Sequence, residues 1–222
     1  SLNLEFLNYT KKKDVKSNLI VEGVINKNNS VFLSKMNFSE SKNSIKVKNV
    51  NLNSQKKLKR IDQIDVDLVN NNDQISQLNI KRKKNNYSIS SKIFDGTKIL
   101  DRILFSKGDG NFFDAFEKLN SKISINFDTI YITSEDYLTS FKADIIVNNN
   151  EIKDLVLSSQ FSTKEDLKLS IKTNPNNEKI TDLFAGNAKP LVKKYDFIKG
   201  FEGGYLKFDS IEKNKVSNSN LK

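Results

Sequence analysis

The chain has 222 residues, 36% of them hydrophobic and 29% charged, with a formal net charge of +10, a length that suits one large β-rich domain or two small ones. It has no cysteine and no histidine, which excludes disulfides, thiolate metal sites, imidazole general bases and Ser-His or Cys-His nucleophile pairs. Of its 37 basic residues only Arg60, Arg82 and Arg102 are arginine, and a basic chain so poor in forked guanidinium groups shows little sign of phosphate or base readout.

Lys, Asn and Ile crowd the chain while Gly and Pro are scarce, so the charge reflects A/T-rich codons more than a built basic patch. Residues 1–93 read as a β meander. Apolar residues alternate with polar ones at Leu2, Leu4, Phe6; at Ile45, Val47 and then Val50, Leu52; at Ile64, Val66, Leu68; and at Tyr87, Ile89, Ser91, Ile93. The step from Val47 to Val50 slips the phase by one residue and predicts a β-bulge.

A helical insertion is predicted over 94–120. Asp95 is its N-cap, Ile99, Leu100, Ile103 and Leu104 its first apolar stripe, and Phe112, Phe113, Phe116 and Leu119 a second. Alternation returns over 121–173 at Ile123, Ile125, Phe127; Phe141, Ala143, Ile145, Val147; Leu155, Leu157, Ser159, Phe161; and Leu167, Leu169, Ile171. Over 178–198 the positions Thr181, Asp182, Leu183, Phe184, Ala188, Leu191, Val192 and Tyr195 predict a helix that Pro190 kinks or divides. Residues 203–222 return as strands after a Gly203-Gly204 turn. Between strands sit Asn26-Lys27-Asn28-Asn29, Asn70-Asn71-Asn72-Asp73, Asn85-Asn86 and Asn148-Asn149-Asn150, where asparagine supplies the left-handed conformations of tight turns.

Little in this pattern supports chemistry. Asp65 and Asp67 share the wet face of a strand, and Glu135/Asp136 and Glu165/Asp166 are solvated charge, so no catalytic residue is assigned. Lys107-Gly108-Asp109-Gly110-Asn111 lacks the further acids of a calcium loop and the Gly-Lys-Ser/Thr ending of a phosphate loop, and reads as a turn. No metal and no cofactor is expected. The alternating apolar face is either an ordinary core or a groove for an apolar ligand.

One segment favours the groove. Asn187 to Leu206, with Ala188, Leu191, Tyr195, Gly203, Gly204 and Leu206 in order, resembles the stretch of AsmA-like bacterial envelope proteins in which a short helix is followed by a double glycine and a strand. Tyr87 to Asp95, closing on Phe94 and Asp95, is similar to that family's strand leading into a short helix; the likeness covers roughly 87–208. The resemblance implies a mainly β fold, an elongated, curved antiparallel sheet forming a trough with two or three short helices. It also implies a non-enzymatic role in moving phospholipid between inner and outer membrane.

On that reading the trough is lined by the alternating positions Ile64, Val66, Leu68, Ile89, Ile123, Ile125, Phe127, Phe141, Ile145, Val147, Leu155, Leu157, Phe161, Leu167, Leu169 and Ile171. Its partners are phospholipid acyl chains, neighbouring β segments of the same chain, and a membrane reached through regions outside this piece; nucleic acid is not among them. The expected location is the periplasm, with an anchor in the inner membrane. A first residue that is not Met and a last stretch at Leu221-Lys222 in strand rhythm lead us to expect a longer parent protein. The alternative is a structural spacer or adhesin-like module with a sealed core.

Overall fold

The computed structural model describes residues 2–98, 112–195, 203–214 and 216–222. Two short strands, β1 (Asn3–Leu4) and β2 (Tyr9–Thr10), pair around a 3-10 turn at Glu5–Leu7. The rest of the fold is an open sheet of 13 strands lying side by side in chain order. These are β3 (Ser17–Ile25), β4 (Val31–Glu40), β5 (Asn43–Leu52), β6 (Leu58–Val69), β7 (Ile75–Lys83), β8 (Asn86–Asp95) and β9 (Ser121–Tyr131). They continue with β10 (Tyr137–Asn148), β11 (Glu151–Phe161), β12 (Asp166–Thr173), β13 (Lys179–Ala185), β14 (Leu206–Lys213) and β15 (Val216–Leu221). At the usual strand spacing the sheet extends about 58 Å from edge to edge.

Three turns follow one plan. In Asn53–Lys57, Asn70–Gln74 and Asn174–Glu178 the leading asparagine's Oδ1 accepts the amide of the residue four further on at 2.9–3.0 Å. The fourth residue of each, Lys56, Asp73 or Asn177, has φ of 64°, 56° or 57°. The asparagine side chain thus replaces a backbone acceptor and the left-handed residue reverses the chain without glycine.

The sheet bends where strands change phase. In β5 Val47 and Val50 are both buried, and Asn49 between them has φ of 53°. Asn49 lies between Ser34 of β4 and Asp62 of β6, and β3 and β4 slip register between Glu22 and Gly23. A second such line crosses Lys92, Asp128 and Ser140, the last with φ of 51°, and keeps Phe127, Ile130, Leu138 and Phe141 buried together. Each line turns apolar residues on both of its sides to the same face, which curves the sheet.

The mainly β fold with one long, open sheet is as expected, and its details differ from the expectation in several places. The sheet is mixed: β8 and β9 run parallel, because the chain between them returns to the end from which β8 began. Residues 181–184 are strand β13, not helix; Leu183 faces inward while Phe184 lies on the wet side, 38% exposed and stacked on Tyr205. Helix α1 spans only Lys189–Tyr195, and Pro190 sits in its first turn, where its missing N–H costs nothing and no kink follows. Phe6 is 43% exposed and Leu7 buried, since the first strand stops at Leu4.

In the predicted insertion, Phe94 and Asp95 still belong to β8. Phe112–Ala115 is a 3-10 turn followed by a lone bridge from Phe116 to Leu58, in place of a helix. The stripe from Ile99 to Leu104 and the loop Lys107–Asn111 lie outside the described residues.

Candidate functional site

All 16 predicted lining residues fall on one face of the sheet. Val66, Leu68, Ile123, Phe127, Phe141, Val147, Leu155, Phe161 and Leu167 are buried. Ile64, Ile89, Ile125, Ile145, Leu157, Leu169 and Ile171 are half-buried.

The register joins these positions into a row that the alternation alone does not reveal. Reading across the strands, Val21, Met36, Val47, Ile64, Ile80, Ile89 and Ile125 are consecutive cross-strand partners. Ala143, Leu157, Leu169, Leu183, Phe208 and Leu221 continue the same row to the far edge. Every strand of the 13 contributes one apolar residue, and the row ends at Val21 and Leu221, each 52% exposed at an unpaired edge. Cross-strand neighbours on one face are close enough to present a continuous apolar surface.

The flanks of the row are covered. At one side Leu7 and Tyr9 of the N-terminal hairpin, and Ala188 and Val192 of the α1 segment, pack against Phe38, Leu68, Phe94, Ile132 and Phe161. Phe127 stands between Phe94 and Phe141, with ring centroids 5.4 and 5.8 Å away. At the other side Phe113 and Leu119 pack on Tyr87, Ile123 and Val147. Burial holds the Tyr87 hydroxyl above its ordinary pKa.

The covered side is tied down by polar groups. Asp95, 1% exposed, accepts from Asn8 Nδ2 at 3.0 Å, Asn70 Nδ2 at 2.6 Å, Thr97 N at 3.0 Å and Thr97 Oγ1 at 2.6 Å. Thr97 thus folds back onto Asp95 with both its amide and its hydroxyl, while the helix predicted to follow lies, from residue 99 on, outside the described residues. Tyr9, 2% exposed, donates its hydroxyl to Glu40, whose other oxygen lies 3.9 Å from Lys11 Nζ. Burial first, and then the bond to Glu40, push the Tyr9 hydroxyl up to about 12. Asn8, Tyr9, Glu40 and Asn70 were not among the predicted site residues; Asn70 stood in a predicted turn, and nothing in the sequence marked the other three.

The other motif positions assemble around the glycine turn. Ala188 is fully buried and its amide donates to the Gly204 carbonyl at 2.9 Å. Gly204 has φ of 122°, a value that side chains rarely tolerate, and Leu206 beyond it is buried. Leu191 is half-buried against the same core, Gly203 has open space around it, and Tyr195 ends α1.

The outer face is wet. Asp65 accepts from Gln63 Nε2 at 2.5 Å and from Asn79, and Asp67 from Gln77 Nε2 at 3.5 Å, so both acids are spent on cross-strand or neighbouring amides. Among the described residues no group of three or more acids could hold a metal ion, and no helix is long and apolar enough to cross a membrane. No family model matches the chain, and no curated protein or solved structure is significantly similar to it.

Proposed function

We propose that this chain is a segment of an AsmA-like envelope protein that shields phospholipid acyl chains on its apolar face during movement between the inner and outer membrane. The observation that carries this reading is the row from Val21 to Leu221, apolar on every strand and half-exposed along much of its middle. An acyl chain laid along such a face leaves water at about 0.8 kcal/mol per buried methylene, and the headgroup stays solvated at the seam. The row's exposure at both edges suits continuation by neighbouring β segments of the same chain. The role is non-catalytic, and the periplasm is the matching compartment.

A structural spacer is the second reading, favoured by the covers at Tyr9, Val192 and Phe113 that bury the flanks of the face. The two readings separate on lipid binding. Native mass spectrometry of the protein purified from a bacterial envelope is expected to retain phospholipid, and Ile125→Asp with Leu157→Asp to lose it while keeping β-sheet circular dichroism. A wild-type protein free of lipid, and unable to bind a fluorescent fatty acid, would leave the spacer.

A further inference from the structure

We infer that the ligand of the apolar face is an anionic amphiphile whose headgroup is held at one rim of the sheet, by the turns β3–β4, β5–β6 and β7–β8 and the segment before β9. This inference rests on the lipid reading above and adds the charge of the headgroup and the place where it is read.

The antiparallel order puts those three turns at the same end of the sheet, successive ones about 10 Å apart at two strand spacings each. The parallel step to β9 brings 112–120 to that end as well, and Glu117 N bonds to the Leu58 carbonyl there at 2.9 Å. Lys27, Lys57, Lys83, Lys84 and Lys118 of this rim are exposed and form no ion pair among the described residues. Lys56 Nζ spans from one turn to the next, donating to the Asn29 carbonyl at 2.6 Å.

The acids of this stretch are fewer and mostly neutralised. Glu117 faces Lys59 at 3.6 Å, and Asp62 is shared by Arg60 at 3.1 Å and Arg82 at 3.4 Å. Asp114 is exposed and outside such pairs. The opposite rim carries both signs instead: Asp14, Asp73, Asp136 and Glu165 stand at the same end as Lys12, Lys13, Lys16, Lys42 and Lys164, Lys11 lies 3.9 Å from Glu40, and Glu135 is paired with Lys193 at 3.9 Å. Lysines thus stand at both rims, and what sets this one apart is its shortage of free acids together with both described arginines.

A cleft of about 420 Å³ opens between the β3–β4 and β5–β6 turns. Asn26, Asn28, Ser30, Lys59 and Arg60 line it together with Glu117, whose charge Lys59 offsets at 3.6 Å, and Val31 and Leu52 provide an apolar part. Val31 and Leu52 are cross-strand partners. They are in phase with Leu33 and Val50, so the cleft joins the basic rim to the inner face. Polar donors and cations above an apolar floor match an anionic head attached to a hydrocarbon chain better than either part alone.

The experiment uses two lipids with the same fluorescent acyl chains, phosphatidylglycerol and phosphatidylcholine, titrated onto the purified protein at low salt. Wild type is expected to favour phosphatidylglycerol by about tenfold. The variant Lys57→Glu/Lys84→Glu/Lys118→Glu, checked for unchanged melting, is expected to erase the preference and leave phosphatidylcholine binding as it was. Equal binding of both lipids by wild type overturns the headgroup inference and leaves the apolar-face reading standing. Failure to bind either lipid sinks both. Competition by free glycerol phosphate at the lipid's own concentration would show a rim that binds phosphate independently of the trough, and would overturn the amphiphile.

Discussion

Asn70 Nδ2 donates to Asp95 Oδ2 at 2.6 Å, and this bond ties the β6–β7 turn to the end of β8 in a place that solvent does not reach. Asn8 adds a second donor to the same carboxylate from the N-terminal hairpin. Three separate segments therefore meet on one side chain. Removing it strands both amides beside the core, and Asp95→Ala is expected to lower stability by about 2–4 kcal/mol. Urea unfolding followed by circular dichroism measures the loss, and hydrogen exchange should show the hairpin opening first. A cost within a few tenths of a kcal/mol would mean that the packing of Leu7 and Tyr9 holds the hairpin without the latch.

Two successive turns, β12–β13 and β11–β12, carry predictions of opposite sign. Asn174 accepts the amides of Asn176 at 2.9 Å and Glu178 at 3.0 Å, so Asn174→Ala should cost about 1 kcal/mol. Lys164 has φ of 75°, a conformation that glycine adopts freely, so Lys164→Gly should be neutral or stabilising. Thermal melts of the two variants read the difference directly. Destabilisation by both to the same extent would contradict the assignment of the left-handed position.

The alternation was legible where one face is wet and the other dry. Ile123, Ile125 and Phe127 alternate with Lys122, Ser124 and Asn126, and the sequence rhythm and the burial agree residue by residue. Rhythm failed where an apolar side chain stands on the wet face. Phe184 beside Leu183 imitates a helical stripe, yet it is there because Tyr205 stacks on it with ring centroids 6.4 Å apart. Strand β3 lies within the predicted 1–93 meander but shows no alternation, because Leu19, Ile20, Val21, Val24 and Ile25 are apolar on both faces of an exposed edge.

The site was legible in its lining and not in its continuity. Which residue of one strand faces which residue of the next depends on register; the phase slip at Asn49 shows in the sequence as the step from Val47 to Val50, whereas the slip at Ser140 is not among the predicted ones. The latch was illegible for a different reason. Asn8 and Asn70 are 87 and 25 residues from Asp95, and nothing local marks an asparagine as a long-range donor.

Alkali should loosen the covered side of the face before it unfolds the sheet. Tyr9 titrates at about 12 in the fold against an ordinary 10.0, so the unfolded chain gives up this proton first. The stability linked to the Tyr9 proton is complete below pH 10.0 and is lost as pH rises towards about 12. Stability measured against pH should fall in that window for wild type and fall less for Tyr9→Phe. At neutral pH Tyr9→Phe should cost about 1–3 kcal/mol, because Glu40 loses its buried donor. An unchanged alkaline profile in the variant would assign the loss to other groups.

The most direct measurement for the apolar face is photo-crosslinking to phospholipid from four positions on two neighbouring strands. Ile125 and Ile145 lie on the inner face of β9 and β10, and Asn126 and Asp144 beside them on the outer face. A photoreactive residue at Ile125 or Ile145 is expected to capture lipid in a bacterial envelope, and one at Asn126 or Asp144 to capture none. Equal capture from both faces, or from neither, would contradict a lipid-binding role for this face.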